Sequence, residues 1–380
     1  MRICSPHCGV DPGTTSGGET YEREVLRHLG ARGVEVDLLL ARHKRVPQDV
    51  QNWTVHRLPI GRGLRWPVAA VLLPGQIKRA YDARPFDLLR AHSLRFIGPA
   101  ALAARRRYRL NVPIVAHHHH LDPGVLNRFI EGPVMRAVDR VVVGSEFGRT
   151  QAARELGVPP ERLAVVYYGV DRRFESRPRA EHLLQRFGLR DHPVVLFLGG
   201  LKARKNPFLL LDIWRGVVQE RPDARLVVAG AGPLLDALRR RAATLPPGSV
   251  IFTGYVPEAE KVDYFNLADV LLFPSALEGF GLSVAEAMSC EVPVVVSARG
   301  SLPEVVADGE GGFLCDPDDS STFVHKVLLL LSEPMLRRKL GHANRERVDR
   351  MFRWEHCAAG TLRVYEDVLD EWHRRRASSR

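Results

Sequence analysis

Hydrophobic positions along the chain fall into two alternating patterns. Short solid apolar runs predict buried strands, and apolar residues recurring at helical spacing predict amphipathic helices. The runs place strands at 2–4, 34–40, 55–58, 86–91, 113–116, 139–145 and 163–168. A second series follows at 194–198, 225–229, 250–253, 269–273 and 293–297. Between them the spacing predicts helices, among them 19–29, 100–107, 146–156 and 321–350. Pro6 is expected to end the first strand early, because proline cannot donate to a ladder. Residues 172–192 are charged and punctuated by proline, and read as a linker with a short helix. Strand and helix thus alternate twice over. The expected fold class is α/β, two doubly wound domains facing a cleft, with ligands at the carboxyl ends of the strands. The domains are expected at 1–180 and 181–350, followed by a helical segment at 351–380.

Composition narrows the class. The length, 380 residues, allows two domains with a core each. With 45% hydrophobic and 26% charged residues the chain is globular and not disordered. No apolar run approaches the roughly 20 residues that a membrane helix needs. The N-terminal residues lack the apolar core of a signal peptide. Five scattered cysteines suit reduced thiols in a cytoplasmic protein. Cys4, His7 and Cys8 could hold a metal, but no second ligand pair follows at zinc spacing. The net charge of +11 attracts nucleic acid, anionic lipid or phosphorylated substrates. Residues 61–81 set Arg62, Arg65, Lys78 and Arg79 beside Trp66, Val71, Leu72 and Leu73. That combination reads either as a helix with one buried face or as a surface that docks on an anionic membrane.

The most informative stretch is 274–290. It holds two carboxylates, Glu278 and Glu286, around Gly279, Phe280, Gly281 and Leu282. A strand precedes it and a helical pattern follows. Ser283 and Glu286 read as a capping box, which makes Ser283 the helix start. Strand, glycine loop and helix N-terminus together suit an anion. Gly17 and Gly18 open the first helix in the same manner, as a plain turn or as an anion loop. The four histidines 117–120 lie along a strand, where alternation sends neighbours to opposite sides, so one metal held by all four is not expected.

The stretch 278–288 with 291–297 behind it resembles the Glu-x7-Glu motif of family-4 retaining glycosyltransferases, also called glycosyl transferases group 1. The resemblance extends along the chain. Lys205 falls on the family's phosphate-binding lysine in the loop 199–206. Gly200 stands where the family has arginine, and Asn206 where it has glycine; Lys202 or Arg204 could supply the missing charge. Tyr168 replaces the asparagine of the family's Asn-Gly-Val-Asp, and Glu291 takes the place of a glycine. Counting from Pro113, the family's functional histidine falls on His119, with His118 as the other register.

This resemblance implies the GT-B fold of two Rossmann-like domains, with 351–380 crossing back to the first. It implies a retaining glycosyltransferase that moves a hexose-type sugar from a UDP-, GDP- or ADP-sugar to a hydroxyl acceptor. Glu278 and His119 would be catalytic. Lys205, Arg204, Gly232, Tyr255, Val256, Gly279, Phe280, Gly281, Leu282 and Glu286 would bind the donor, and Gly17 and Gly18 would form the acceptor-side loop. No metal and no cofactor beyond the nucleotide sugar is expected. The setting would be cytoplasmic, peripheral at the inner face of the membrane if the 61–81 segment docks there. A sugar-nucleotide epimerase or a phosphorylase could use the same fold. A non-catalytic nucleotide-sugar-binding protein is the rival of another class. Two acids in the main site and few stacking aromatics argue against nucleic acid.

Overall fold

The computed structural model describes residues 1–7, 9–13, 17–60, 66–119 and 127–378. Cys8, Arg62, Arg65, His120 and Asp122, named above, lie outside them. The chain divides into two compact units, one of residues 1–168 with 354–380 and one of residues 169–353.

Unit 1 contains β1 (Arg2–His7), β2 (Glu35–Ala41), β3 (Trp53–Leu58), β4 (Leu88–His92), β5 (Ile114–His118), β6 (Arg140–Val143) and β7 (Leu163–Val165). They form one parallel sheet in the order β3-β2-β1-β4-β5-β6-β7. Its interior strands read as solid apolar runs because helices cover both faces of such a sheet. Buried side chains such as Leu39, Leu89, Ile97, Ala101, Ile114 and Met135 make the core. Pro6 does not stop β1, which runs on to His7. Beyond Cys4 the strand pairs only with β2, so the missing N–H breaks no ladder on the other side. The strand expected at 163–168 ends at Val165, before Tyr168.

Unit 2 contains β8 (Val194–Leu198), β9 (Arg225–Ala229), β10 (Val250–Gly254), β11 (Val270–Phe273), β12 (Val294–Ser297) and β13 (Gly312–Cys315). The parallel order is β10-β9-β8-β11-β12-β13. The helical stretch expected at 321–350 is two helices, Ser320–Ser332 and Pro334–Met351. Pro334 accounts for the break, since it lacks an N–H and constrains Glu333 before it. Val170 and Phe352 are joined by a backbone hydrogen bond of 2.7 Å.

In each unit the strand order reverses once, between β1 and β4 and between β8 and β11. Open parallel sheets bind ligands outside the carboxyl ends of the strands at such a reversal. Both places are lined by charged side chains.

Candidate active site

In unit 2 the loops after β8 and β11 are stitched together. The Ala276 and Leu277 amides donate to the Arg204 carbonyl at 2.9 and 3.3 Å, and Ser275 Oγ donates to it at 2.9 Å. Glu278 sits in this junction, 4% exposed. Lys205 Nζ and Ser275 Oγ both lie 2.5 Å from its Oε1. The Arg204 guanidinium lies 3.5 Å from Oε2. The Glu278 carbonyl accepts from the amide and hydroxyl of Ser301, each at 3.1 Å. Gly300 must be glycine here: its φ is +61°, and a Cβ would stand 2.6 Å from that carbonyl. Burial lowers the Lys205 pKa, against the pull of the Glu278 carboxylate. The ammonium also lies 4.6 Å from the centre of the Phe273 ring.

The two turns that could bring backbone to a ligand are tightly built. A Cβ on Gly232 would stand 2.4 Å from the Leu201 carbonyl, so this glycine lets the 230–232 turn pack on the 199–201 loop. Gly200 meets nothing closer than 3.9 Å and has room for a side chain. Asn206 and Glu291 have φ of +50° and +60°. Those are the two positions where the sequence comparison expects glycine, so the left-handed turns persist without it.

Ser283 does not cap the helix after the motif. The helix is Leu282–Ser289, with Gly281 at the N-cap, φ +96° and no side-chain cap. Glu286 does not turn back to that end. It is buried, 4% exposed, and lies 3.3 and 3.4 Å from Lys261 Nζ. A helix start with no side-chain cap leaves its first N–H groups for an anion. Burial pushes the Glu286 carboxyl up to about 7, and the Lys261 ammonium opposes the rise. Phe280 turns inward, edge-on to Phe352 at 5.4 Å. Gly279 bends the loop beside Glu278. Val256 is buried, whereas Tyr255 is 56% exposed beyond the end of β10.

Unit 1 carries a second buried polar cluster, at the reversal between β1 and β4. The rings of His7 and His92 stack at 3.8 Å. Glu22, from the helix Gly17–Ala31, accepts from His7 Nε2 at 3.2 Å, from His119 Nε2 at 2.6 Å and from the Arg90 guanidinium. Arg90 Nε donates to the Tyr365 hydroxyl at 2.9 Å, and that oxygen lies 2.9 Å from His117 Nε2. His119 Nδ1 meets the Tyr168 hydroxyl at 2.5 Å. Alternation along β5 sends His118 elsewhere, to Glu131 at 3.3 Å. Burial opposes the Glu22 charge, yet Arg90 and its other partners hold the carboxyl well below the usual range. Burial lowers His7, His92, His117 and His119.

His7, Glu22 and His92 place three ligating atoms within 4.8 Å of one another. A metal ion there would meet the Arg90 guanidinium, already paired to the same carboxylate, so the set fits an internal ion pair better than a cation site. Gly17 and Gly18 are the first residues of their helix, and among the described residues a Cβ on Gly18 would meet nothing within 4 Å.

Several of these residues escape sequence reasoning. Glu22 lies in a stretch that reads as a solvated helix face. Lys261 and Ser275 carry no motif signal. Arg90 could have been found: a charge inside the apolar run 86–91 requires a buried acid.

Two parallel-sheet α/β units with charged loops at the strand ends are the architecture of the GT-B class of glycosyltransferases. Solved structures agree. Sucrose-phosphate synthase from Thermosynechococcus elongatus superposes with a TM-score of 0.80 at 22% identity, covering 98% of this chain and 100% of the other. HepE from Anabaena, solved with UDP and glucose, gives 0.77 at 20% identity over 96% and 99%. The chain belongs to the family-4 glycosyltransferases: residues 15–174 match the profile of Glycosyltransferase Family 4 and residues 181–347 that of Glycosyl transferases group 1. A D-inositol 3-phosphate glycosyltransferase of Thermomonospora curvata is 30% identical over 94% of this chain and 93% of its own. A GDP-mannose-dependent alpha-(1-6)-phosphatidylinositol monomannoside mannosyltransferase of Mycolicibacterium smegmatis is 32% identical over 67% and 69%. The protein is therefore a glycosyltransferase. Among the described residues no helix is long and apolar enough to cross a membrane.

Proposed function

We propose that this glycosyltransferase retains anomeric configuration and moves a hexose-type sugar from a nucleotide diphosphate sugar to a hydroxyl acceptor without a metal ion. The observation that carries the reading is the state of Glu278. Its Oε1 is anchored by Ser275 and Lys205, while among the described residues Oε2 has only Arg204 at 3.5 Å and can accept from sugar hydroxyls. Glu286 would accept from the ribose. Lys205, Arg204 and the uncapped N–H groups at Leu282 and Ser283 would balance the diphosphate charge as it develops. Gly232, Gly279 and Gly281 would let the donor approach the backbone, with Phe280 fixing the loop from inside and Tyr255 and Val256 beside the base.

In the proposed step the bond from the anomeric carbon to the diphosphate oxygen breaks as the acceptor oxygen bonds to that carbon on the same face. The acceptor's proton passes to the departing phosphate oxygen. Unit 1 would serve the acceptor, through the helix start at Gly17 and Gly18 and through His119. Both ring nitrogens of His119 are engaged, by Glu22 and Tyr168, so it would bound the acceptor side through its ring and not remove a proton.

The named relatives include one that uses GDP-mannose and one solved with UDP and glucose, which supports a nucleotide-sugar donor and leaves the base open. A cytoplasmic enzyme with an amphiphilic acceptor would suit the helix Trp66–Ala83. It buries Leu73 and Ile77 and exposes Val71 and Leu72, at 79% and 39%, together with Arg79. A thermal-shift panel of UDP-, GDP- and ADP-sugars tests the donor reading. One nucleotide series should raise the melting temperature with concentration in the wild type and far less in Glu278→Gln. No shift with any of them contradicts it.

A further inference from the structure

Glu286 is a carboxylate with little water to support its charge, and its support comes from outside its own helix. Lys261, on the helix Lys261–Leu267, places Nζ 3.3 and 3.4 Å from the two carboxylate oxygens. These are long contacts, so charge attraction outweighs directed hydrogen bonding. The same ammonium lies 2.8 Å from the Glu258 carboxylate. Glu258 in turn takes the Arg173 guanidinium at 2.5 Å. The signs alternate along Arg173, Glu258, Lys261 and Glu286. The groups that face Glu286 are thus Lys261, Glu258 and Arg173, with the Cys290 thiol on its own helix's C-terminal side, itself raised by burial.

We propose that Lys261, itself held in place by Glu258, is a positioning residue for the donor: it holds the Glu286 side chain and favours its ionised form, so that both carboxylate oxygens can accept from a vicinal diol. The geometry favours this over a passive ion pair. Lys261 reaches both oxygens at nearly equal distance, and each retains further lone pairs for a ligand. The Lys261 side chain is half-buried, 14% exposed, and two acids share it. Were Lys261 neutral or absent, burial would favour the protonated carboxyl, which accepts hydrogen bonds poorly. The inference rests on Glu286 as the group that takes the ribose.

Calorimetric titrations with UDP-glucose and with GDP-mannose from pH 6 to pH 9 test it. These ligands carry a diphosphate diester with no proton to lose in that range. The wild type should bind more tightly as pH rises through about 7, where Glu286 loses its proton. Lys261→Met should move that rise to higher pH, weakening binding at pH 7 about fivefold for the first unit moved and about tenfold for each further unit, with recovery toward pH 9. Lys261→Arg should follow the wild type. Glu258→Gln removes a repelling charge and should move the rise the other way, to lower pH, which checks that Glu286 sets the profile; Lys261→Gln decides the role of Lys261 if Lys261→Met does not fold. Glu286→Gln should bind weakly at every pH. A weak Glu286→Gln beside Lys261→Met and Glu258→Gln curves that match the wild type would overturn the role of Lys261 alone. Wild-type binding by Glu286→Gln would remove the ribose reading beneath it.

Discussion

Replacing Lys205 with alanine separates two roles that coincide in one ammonium. In the free protein Lys205 neutralises Glu278 and sits over Phe273; with donor bound it would also meet a phosphate. Removing one partner of a buried ion pair costs about 3–5 kcal/mol. The lower end applies, because Ser275 still binds Oε1 and Arg204 lies 3.5 Å from Oε2. The cation–π contact adds about 0.5–1 kcal/mol. Stability of unit 2 should therefore fall by about 3.5–4 kcal/mol. Donor affinity should fall separately by about 1.5–3 kcal/mol, the worth of a charge-assisted hydrogen bond, or about 10- to 150-fold. The double variant Lys205→Met with Glu278→Gln removes both charges. It should recover most of the stability and none of the affinity. Urea denaturation reads the first quantity and calorimetry the second. If Lys205→Ala loses stability but binds donor as the wild type does, Lys205 is only the partner of Glu278. If Lys202→Ala or Arg204→Ala weakens binding more, the phosphate contact lies elsewhere in the loop.

Glu291→Gly should stabilise unit 2 by about 0.5–1 kcal/mol, since a side chain at φ +60° costs about 1–2 kcal/mol and glycine's unfolded-state entropy returns part of it; a lower melting temperature would contradict this. Gly200→Arg should fold normally, because its Cβ would meet nothing closer than 3.9 Å, and should tighten donor binding up to about tenfold; loss of binding would show that the loop needs glycine. Acid should weaken unit 1 early. His7, His92, His117 and His119 have folded pKa values lowered by burial, so their stability contribution is present above about 6.5 and is lost as pH falls through the folded values. Glu286 acts oppositely in unit 2, because its raised pKa favours the folded state as pH falls from about 7. Hydrogen exchange resolved to residues 1–168 and 169–353 separates the two; unchanged protection of unit 1 between pH 7.5 and pH 5 would refute the histidine account.

The sheets were legible because interior parallel strands are apolar on both faces, and 194–198 or 269–273 fit little else. Boundaries were less so. Pro6 reads as a stop because its neighbours in the sheet are invisible in sequence; pairing on one side alone makes it harmless. The cap expected at Ser283 does not form, because Ser-x-x-Glu spacing matches two different structures. The positive φ of Gly281 starts the helix one residue earlier, and burial turns Glu286 toward Lys261. The cluster around Glu22 was hidden by helix periodicity, which cannot tell an acid facing water from one facing Arg90. Motif residues identify themselves by spacing. Their supports, Ser275, Lys261 and Arg90, come from other elements and appear only once the chain is folded.

The central claim is tested most directly by the anomeric configuration of the product formed without metal. Turnover of a nucleotide α-sugar after exhaustive chelation, followed by proton NMR of the new linkage, reads both parts together. The account predicts an α-linked product at an unchanged rate, because the cations at 202–205 and the helix start at Leu282 are positioned to balance the leaving diphosphate. A β-linked product, or activity lost on chelation and restored by Mg²⁺ or Mn²⁺, would contradict it.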